Sequence, residues 1–278
     1  MNILAVRKKI AQFLSEDIGT GDTCSSVVFG NEVLEKEAVF LAKENGIVAG
    51  IDIARLVFEE LEHSEFVVYI ADGCSVKQGD IIAKVRADVK VLLAGERVAL
   101  NLLQRMSSIA SMTKLAVEIL GDSKTRICDT RKTVPGLRIF DKAAVRIGGG
   151  YNHRMGLYDA LMLKDNHIAF SGSITNSIKK LRSQIGHTQK IEVETTTKSQ
   201  VLEAVNAGVD IIMFDNCTPE EVEQMQKLVP EHIITECSGS ITLENLYTYA
   251  NTGVDYISLG FLTHSVKSLD ISFQAVDF

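Results

Sequence analysis

No stretch of this 278-residue chain holds an apolar run long enough to span a membrane. The N-terminal MNILAVRKKIAQFLSEDIG lacks the small-residue cleavage site that closes a signal peptide, and acids follow its apolar residues at once. Ile3, Val6, Ile10, Phe13 and Leu14 fall instead at the spacing of an amphipathic first helix. Cysteine is sparse: Cys24, Cys74, Cys128, Cys217 and Cys237 form no CxxC pair, and their number is odd. That speaks against a disulfide scaffold or a cysteine-ligated zinc and for small thiols in a reducing cytoplasm. Cys237, in ECSGS, is a weak candidate nucleophile with no histidine near it in sequence. Basic excess is missing too. The 29 Lys and Arg against 36 Asp and Glu leave a formal charge of −7, so a broad basic face for nucleic acid is not expected. No GxGxxG follows a strand-like run, which disfavours a doubly wound dinucleotide fold.

Against that acidic background one stretch is rich in cations. Between Asp129 and Ile168 stand Arg131, Lys132, Arg138, Lys142, Arg146, His153, Arg154 and Lys164, with Gly148, Gly149 and Gly150 among them. A local cationic cluster in an acidic chain fits a small, highly charged anion. Three successive glycines suit a close backbone approach to a ligand.

Along the chain the pattern changes once. AVFLAKENGIVAG, IDIARLVFEELE and FVVYIADGCSVKQGDIIAKVRADVKVLLAGE predict short strands and a helix, with turns at Asn45-Gly46, Asp72-Gly73 and Gly79-Asp80. This is an α+β part of antiparallel flavour. DGCSVKQGDIIAKV is similar to half of a biotinyl or lipoyl carrier domain, but the carrier lysine is missing. From Gly95 to Leu120, Val98, Leu102, Ile109, Met112, Leu115 and Ile119 predict a long helix punctuated by Gly95 and Gly121, with Arg97 and Arg105 on a solvated face. After Lys124 the chain alternates. TRICDT, DALMLKDNHI, KIEVET, VDIIMFDN, HIITECSGS and VDYISLGFLT read as strands, with helical segments between them. LEAVNAGVDIIMFDN and LYTYANTGVDYISLGF form a weak repeat of helix, Gly-Val-Asp turn and strand. Repeating βα units mean a parallel sheet covered by helices, here a closed or nearly closed α/β barrel.

In such a barrel the working residues sit at the carboxyl ends of the strands. Those ends carry Asp129 with Arg131 and Lys132, then Lys164, Glu194, Asp215, Ser238 with Gly239, and Gly260. Buried charges must pair with one another or with a ligand. Glu194 and Asp215 suit ribose hydroxyls, a hydrated Mg²⁺ or a developing positive charge on a sugar carbon. Ser238-Gly239-Ser240 and Leu259-Gly260-Phe261, on the last two strands, match the usual barrel phosphate site. Arg131, Lys132, His153, Arg154 and Lys164 suit carboxylates and a pyrophosphate.

TRKTVPGLR, AVRIGGGYNHRMGL, LMLKDNHI, IEVE, FDN, ECSG and TGVDYISLGFLTHSVKSLDIS closely resemble the quinolinate phosphoribosyltransferase family. EDIGTGDTCS and GERVALNLLQRMSSIASMT extend the resemblance through the N-terminal part. It implies an N-terminal α/β sandwich domain at 1–110. It also implies a C-terminal α/β-barrel-like domain of type II phosphoribosyltransferase fold at 111–278, whose last residues pack back on the first domain. A homodimer with shared active sites is implied, as are Mg²⁺ and the absence of an organic cofactor. Carried over, the quinolinate site falls on Arg131, His153, Arg154 and Lys164, with Arg97 entering from the neighbouring subunit. Lys132 and Lys164 contact the phosphoribosyl substrate, Thr133 is a further substrate-binding residue, and Glu194 and Asp215 lie near ribose and Mg²⁺. Lys132, Lys164, Glu194 and Asp215 are the catalytic set. Ser238, Gly239, Ser240 and Gly260 match the 5′-phosphate loops, with Leu259 and Phe261 flanking Gly260 in its turn. Two departures stand out: Ser240 where a glycine is usual, and Ser107-Ser108-Ile109-Ala110-Ser111 where Ser-Gly-Ile-Ala-Thr is usual. The implied reaction joins quinolinate to 5-phosphoribosyl 1-pyrophosphate with loss of pyrophosphate and CO₂. Competing readings are a paralogue of the same fold resembling the ModD proteins, a Schiff-base aldolase using Lys164, and a small-anion binding protein.

Overall fold

The computed structural model describes residues 1–276, which form two compact units. The first comprises Met1–Lys114, Thr133–Gly149 and the segment from Ser265 on; the second comprises Leu115–Lys132 and Gly150–His264. The chain therefore leaves the second unit after Lys132 and re-enters it at Gly150.

The elements run, in order, α1 (Ile3–Ile18), α2 (Thr23–Phe29), β1 (Glu35–Ala42), β2 (Gly46–Ile47), α3 (Ile51–Leu61), β3 (Glu65–Val68), β4 (Ser75–Val76), β5 (Ile81–Asp88) and α4 (Val89–Leu120). Then follow β6 (Arg126–Cys128), α5 (Arg138–Ile147), β7 (Leu161–Leu163), α6 (Asp165–Ser171), α7 (Ile174–Arg182), β8 (Ile191–Thr195), α8 (Lys198–Ala207), β9 (Ile211–Asp215), α9 (Pro219–Gln226), β10 (Ile234–Ser238), α10 (Leu246–Tyr249), β11 (Tyr256–Ser258), α11 (Phe261–His264) and β12 (Ile271–Ala275).

The first unit is built on an antiparallel sheet of order β12-β1-β5-β3. Alternation along β1 buries Ala38, Phe40 and Ala42 on one face. Phe40 lies opposite Phe273 of β12, and their rings are 4.9 Å apart. Phe58 of α3 stacks on Phe273 at 5.8 Å and closes an aromatic cluster. Gly95 is not a helix end: it lies inside α4, where a Cβ would meet the Phe58 ring at 2.6 Å, so glycine lets α3 and α4 approach. Arg105 is not on a solvated face. It grips buried Asp141 of α5 through two bonds, Nε to Oδ1 at 2.7 Å and Nη2 to Oδ2 at 2.9 Å. The serines of 107–111 also find partners. Ser107 Oγ accepts the Ala49 N–H at 3.0 Å, and Ser108 Oγ donates to the Lys267 carbonyl at 2.5 Å.

Within the glycine run, Gly148 serves helix packing. A Cβ on Gly148, at the end of α5, would lie 2.4 Å from the Ala110 carbonyl and 2.7 Å from Thr113 Cβ, both on α4. Gly149 follows with φ +93°. Gly148→Ala is accordingly expected to cost about 1–3 kcal/mol through overpacking, read as a lower urea midpoint.

The second unit is a parallel sheet of order β6-β11-β10-β9-β8-β7. Tyr151 extends its free edge by a parallel bridge to Cys128. Helix starts are written locally. Thr218 and Glu221 cap one another at the start of α9, with Pro219 in the first turn. The strand expected over DALMLKDNHI ends at Leu163, and Asp165 opens α6 with Lys164 as its N-cap residue. Short strands followed at once by helices put Lys164, Glu194, Asp215 and Ser238 at or just past strand ends.

Candidate active site

Strand alternation decides which side chains point inward. On β8, Glu192 and Glu194 are two residues apart and share a face; so do Met213 and Asp215 on β9, and Glu236 and Ser238 on β10. Glu192 and Glu236 lie two strands apart with β9 between them. In a flat sheet that separation is roughly 9–10 Å. Their carboxylates and the His153 ring nevertheless bring ligand atoms within 4.8 Å of one another. The sheet curves around this face, which is barrel-like geometry.

At the strand ends a cavity of about 410 Å³ opens, lined by Thr130, Arg131, Lys132, His153, Arg154, Met162, Lys164, Asp165, Glu194, Met213, Asp215, Ser238 and Ser258. Lys164 Nζ is ion-paired with Glu194 Oε1. Such pairing is the reverse of the apolar surroundings a Schiff-base lysine needs. Burial raises the Glu194 carboxyl above its ordinary range; Lys164 opposes this and Asp215 adds to it. Burial, then neighbouring Arg131, lowers the Arg154 pKa. The cavity therefore holds cations that repel one another and carboxylates that do the same, an arrangement a polyanion with a counter-cation relieves.

Eight of the residues singled out from sequence meet here: Arg131, Lys132, His153, Arg154, Lys164, Glu194, Asp215 and Ser238. The remaining cations of the stretch do not. Arg138, Lys142 and Arg146 lie on α5 in the first unit. Thr133 also belongs to that unit and accepts the Arg138 Nε–H at 3.1 Å. Arg97 lines a different cavity, of about 340 Å³, with Phe13, Glu16, Asp17, Asn101, Arg105 and Leu137. Its side chain is 58% exposed and 3.6 Å from Glu96.

The expected phosphate turns have distinctive backbones. Gly239 has φ +95°, and a Cβ there would sit 2.8 Å from the Asn216 nitrogen. Ser240 adopts φ +55°, in the region that favours glycine, and donates its hydroxyl to Asn216 Oδ1 at 2.8 Å. Asn216 is itself left-handed, at φ +59°. At the neighbouring turn Leu259 N–H donates to the Cys128 carbonyl, and the Lys132 stem passes 3.1 Å from where a Gly260 Cβ would be. Phe261 starts α11, whose Thr263 hydroxyl donates to the Lys132 carbonyl at 2.8 Å. Cys237 is buried, which pushes its thiol far up, opposite to nucleophile activation.

Glu192, Glu236 and Ser258 were not anticipated from sequence. IEVE and ITECS carried the signal, because a residue two before an inward-facing strand end faces inward as well. Asp129 is fully buried and accepts Asn152 Nδ2–H at 2.6 Å and His153 N–H at 2.9 Å, so it organises the loop.

A parallel α/β domain with a mixed cationic and acidic cavity at its strand ends is the design of an enzyme for small phosphorylated and carboxylated substrates. The profile for "Quinolinate phosphoribosyl transferase, C-terminal domain" matches residues 109–274, and that for the N-terminal domain matches residues 22–107. The chain belongs to the quinolinate phosphoribosyl transferase family. A Bacillus subtilis relative, named "Probable nicotinate-nucleotide pyrophosphorylase (carboxylating)", is 54% identical over 98% of this chain and 94% of its own. The quinolinate phosphoribosyltransferase (decarboxylating) 1 of Nicotiana glauca is 43% identical over 94% of this chain and 79% of its own. The crystal structure of NadC from Streptococcus pyogenes superposes with TM-score 0.93 at 40% identity, covering 100% of this chain and 99% of that one.

Proposed function

We propose that this chain transfers the phosphoribosyl group of 5-phosphoribosyl 1-pyrophosphate to quinolinate, giving nicotinate mononucleotide, pyrophosphate and CO₂ for de novo NAD synthesis. The observation that carries this is the single cavity in which Arg131, Lys132, Arg154 and Lys164 stand with Glu194 and Asp215, in a chain that matches the family along nearly its whole length. Both substrates are multiply anionic, so the cations must be gathered before they arrive.

Arg131, Arg154 and Lys164 hold the carboxylates of quinolinate, and Lys132 meets the phosphoribosyl substrate beside the Gly260 turn. Ser238, Gly239, Ser240, Leu259, Gly260 and Phe261 hold the 5′-phosphate. The pyridine nitrogen attacks the anomeric carbon as the bond to pyrophosphate breaks. Glu194 and Asp215 stabilise the positive charge that develops on the sugar. The carboxylate next to the new pyridinium nitrogen then leaves as CO₂; the electron pair stays on the ring carbon, stabilised by the adjacent positive nitrogen, and takes up a proton from water. Glu194 and Asp215, on adjacent strands, raise one another's energy as anions and offer the oxygen donors that suit Mg²⁺ with its waters. When bound, the ion neutralises charge on the pyrophosphate. No organic cofactor is required, because the positive nitrogen of the pyridinium itself stabilises that electron pair.

The working form is a homodimer in which Arg97 reaches the partner's quinolinate, and the compartment is the cytoplasm. The 58% exposure of the Arg97 side chain, which leaves it available to a second subunit, supports the first point. No helix among the described residues is long and apolar enough to cross a membrane.

Pyrophosphate release that needs both quinolinate and 5-phosphoribosyl 1-pyrophosphate tests the reaction; release without quinolinate refutes it. Quinolinate alone, at about a hundredfold its Kd, should raise the melting temperature by about 5 °C, because it relieves cation repulsion. An unchanged melting temperature speaks against this cavity as its site.

A further inference from the structure

Beneath the anion cavity lies a cluster that the reaction above does not use. His153 Nδ1 accepts the Arg154 backbone N–H at 2.8 Å. That nitrogen therefore carries a lone pair, and the ring proton sits on Nε2. Nε2 faces the two oxygens of Glu192 at 3.1 and 3.2 Å, with Glu236 Oε1 at 3.7 Å. Glu192 and Glu236 are both buried, and Glu236 accepts the Ser258 hydroxyl at 2.5 Å. Both ring nitrogens are thus engaged inside the protein. Arg154, 9% exposed, is held a second time, by Nη1 donating to the Ala160 carbonyl at 2.9 Å.

A second cavity, of about 360 Å³, lies on the other side of this layer, lined by Ile211, Ile234 and Tyr256 at the starts of β9, β10 and β11. His153 lines both cavities, whereas Glu192 and Glu236 line only the second. The imidazole separates two buried acids from the pocket meant for an anion.

We propose that Glu192 and Glu236 are positioning residues which, through a neutral Nε2–H His153, orient Arg154 and cover the acids beneath the anion pocket. His153 then serves quinolinate as a shaped spacer and not through a ring N–H. This rests on the proposed function only for the identity of the anion. The three side chains also resemble a cation site, but Glu192 accepts from Nε2 and Glu236 accepts from Ser258, so each carboxylate has a donor within the protein.

Two measurements on the full chain test it. Long-range ¹H–¹⁵N NMR of histidine-labelled protein should show His153 as the neutral Nε2–H tautomer throughout about pH 6–8, identified by its loss in His153→Asn. An imidazolium or an Nδ1–H tautomer at pH 7 overturns the proposal, as does a shift of these resonances on adding zinc alone. Neither depends on catalysis, so this arm stands even if quinolinate is not the substrate. In kinetics, Glu236→Leu and Glu192→Leu should raise the KM for quinolinate about tenfold or more, with the KM for 5-phosphoribosyl 1-pyrophosphate within about threefold. Glu236→Gln, which keeps an acceptor for Ser258, should restore the quinolinate KM. Equal loss in the Gln and Leu variants, or equal rises in both KM values, overturns it. Should the Leu variants not fold, the tautomer of the wild-type ring decides.

Discussion

Lys164→Ala is expected to lower kcat/KM by about 30- to 1000-fold, the equivalent of about 2–4 kcal/mol for one desolvated charge contact. Lys164 stands where β7 ends and α6 begins, and its ammonium pairs with Glu194 inside the cavity. Removing it withdraws a cation from an anion pocket and leaves Glu194 beside Asp215 without its ion-pair partner. Burial already raises the Glu194 carboxyl, so losing Lys164 raises it further and draws a proton onto a group needed as an anion. KM and kcat should therefore both suffer, and part of the loss should recover at higher pH. Lys179→Ala, on exposed α7 surface, is the control that keeps normal rates. Near-normal turnover of Lys164→Ala would remove this residue from the catalytic set.

The second large effect concerns stability. The Glu236 carboxyl is pushed up from 4.5 to about 7, first by burial and then by Glu192, with Asp129 adding to the rise and the Ser258 hydroxyl opposing it. The folded protein thus holds this proton more tightly than the unfolded chain. Stability from it is fully present below about pH 4.5 and is lost as pH climbs through about 7. Glu236→Gln keeps the shape and an acceptor for Ser258 and removes the titration. The variant should gain on the wild type by about 3 kcal/mol between about pH 4.5 and pH 8.5. Urea unfolding of both proteins at the two pH values measures the gain. A difference that does not grow with pH would show that this carboxyl does not hold its proton in the folded state.

These effects also show how far local reading reaches. The Thr218-Pro219-Glu220-Glu221 helix start needed no tertiary information, because cap, proline and acid act within one turn. Turns at Gly73 and Gly79, with φ +86° and +93°, were equally local. Gly95 has the look of a helix end in sequence because its reason, the Phe58 ring, lies on another element. The pairing of Arg105 is invisible locally because Asp141 is 36 positions away. Gly148 was read as a ligand approach, yet what approaches is α4. In DALMLKDNHI the apolar run marked a strand, but Lys164 capping α6 sets where it stops.

The order of charged residues at successive strand ends was already written in the chain. Parallel βα repeats send every strand the same way, so Lys164, Glu194 and Asp215 had to arrive at one end. Which cations of the 129–168 stretch would join them was not. The chain leaves the unit at Thr133 and returns at Gly150, and that detour assigns Arg138, Lys142 and Arg146 elsewhere. Nor could spacing alone reveal the layer beneath the pocket. Glu192 and Glu236 meet His153 because the sheet curves, and curvature arises from packing among distant strands rather than from any short run of residues.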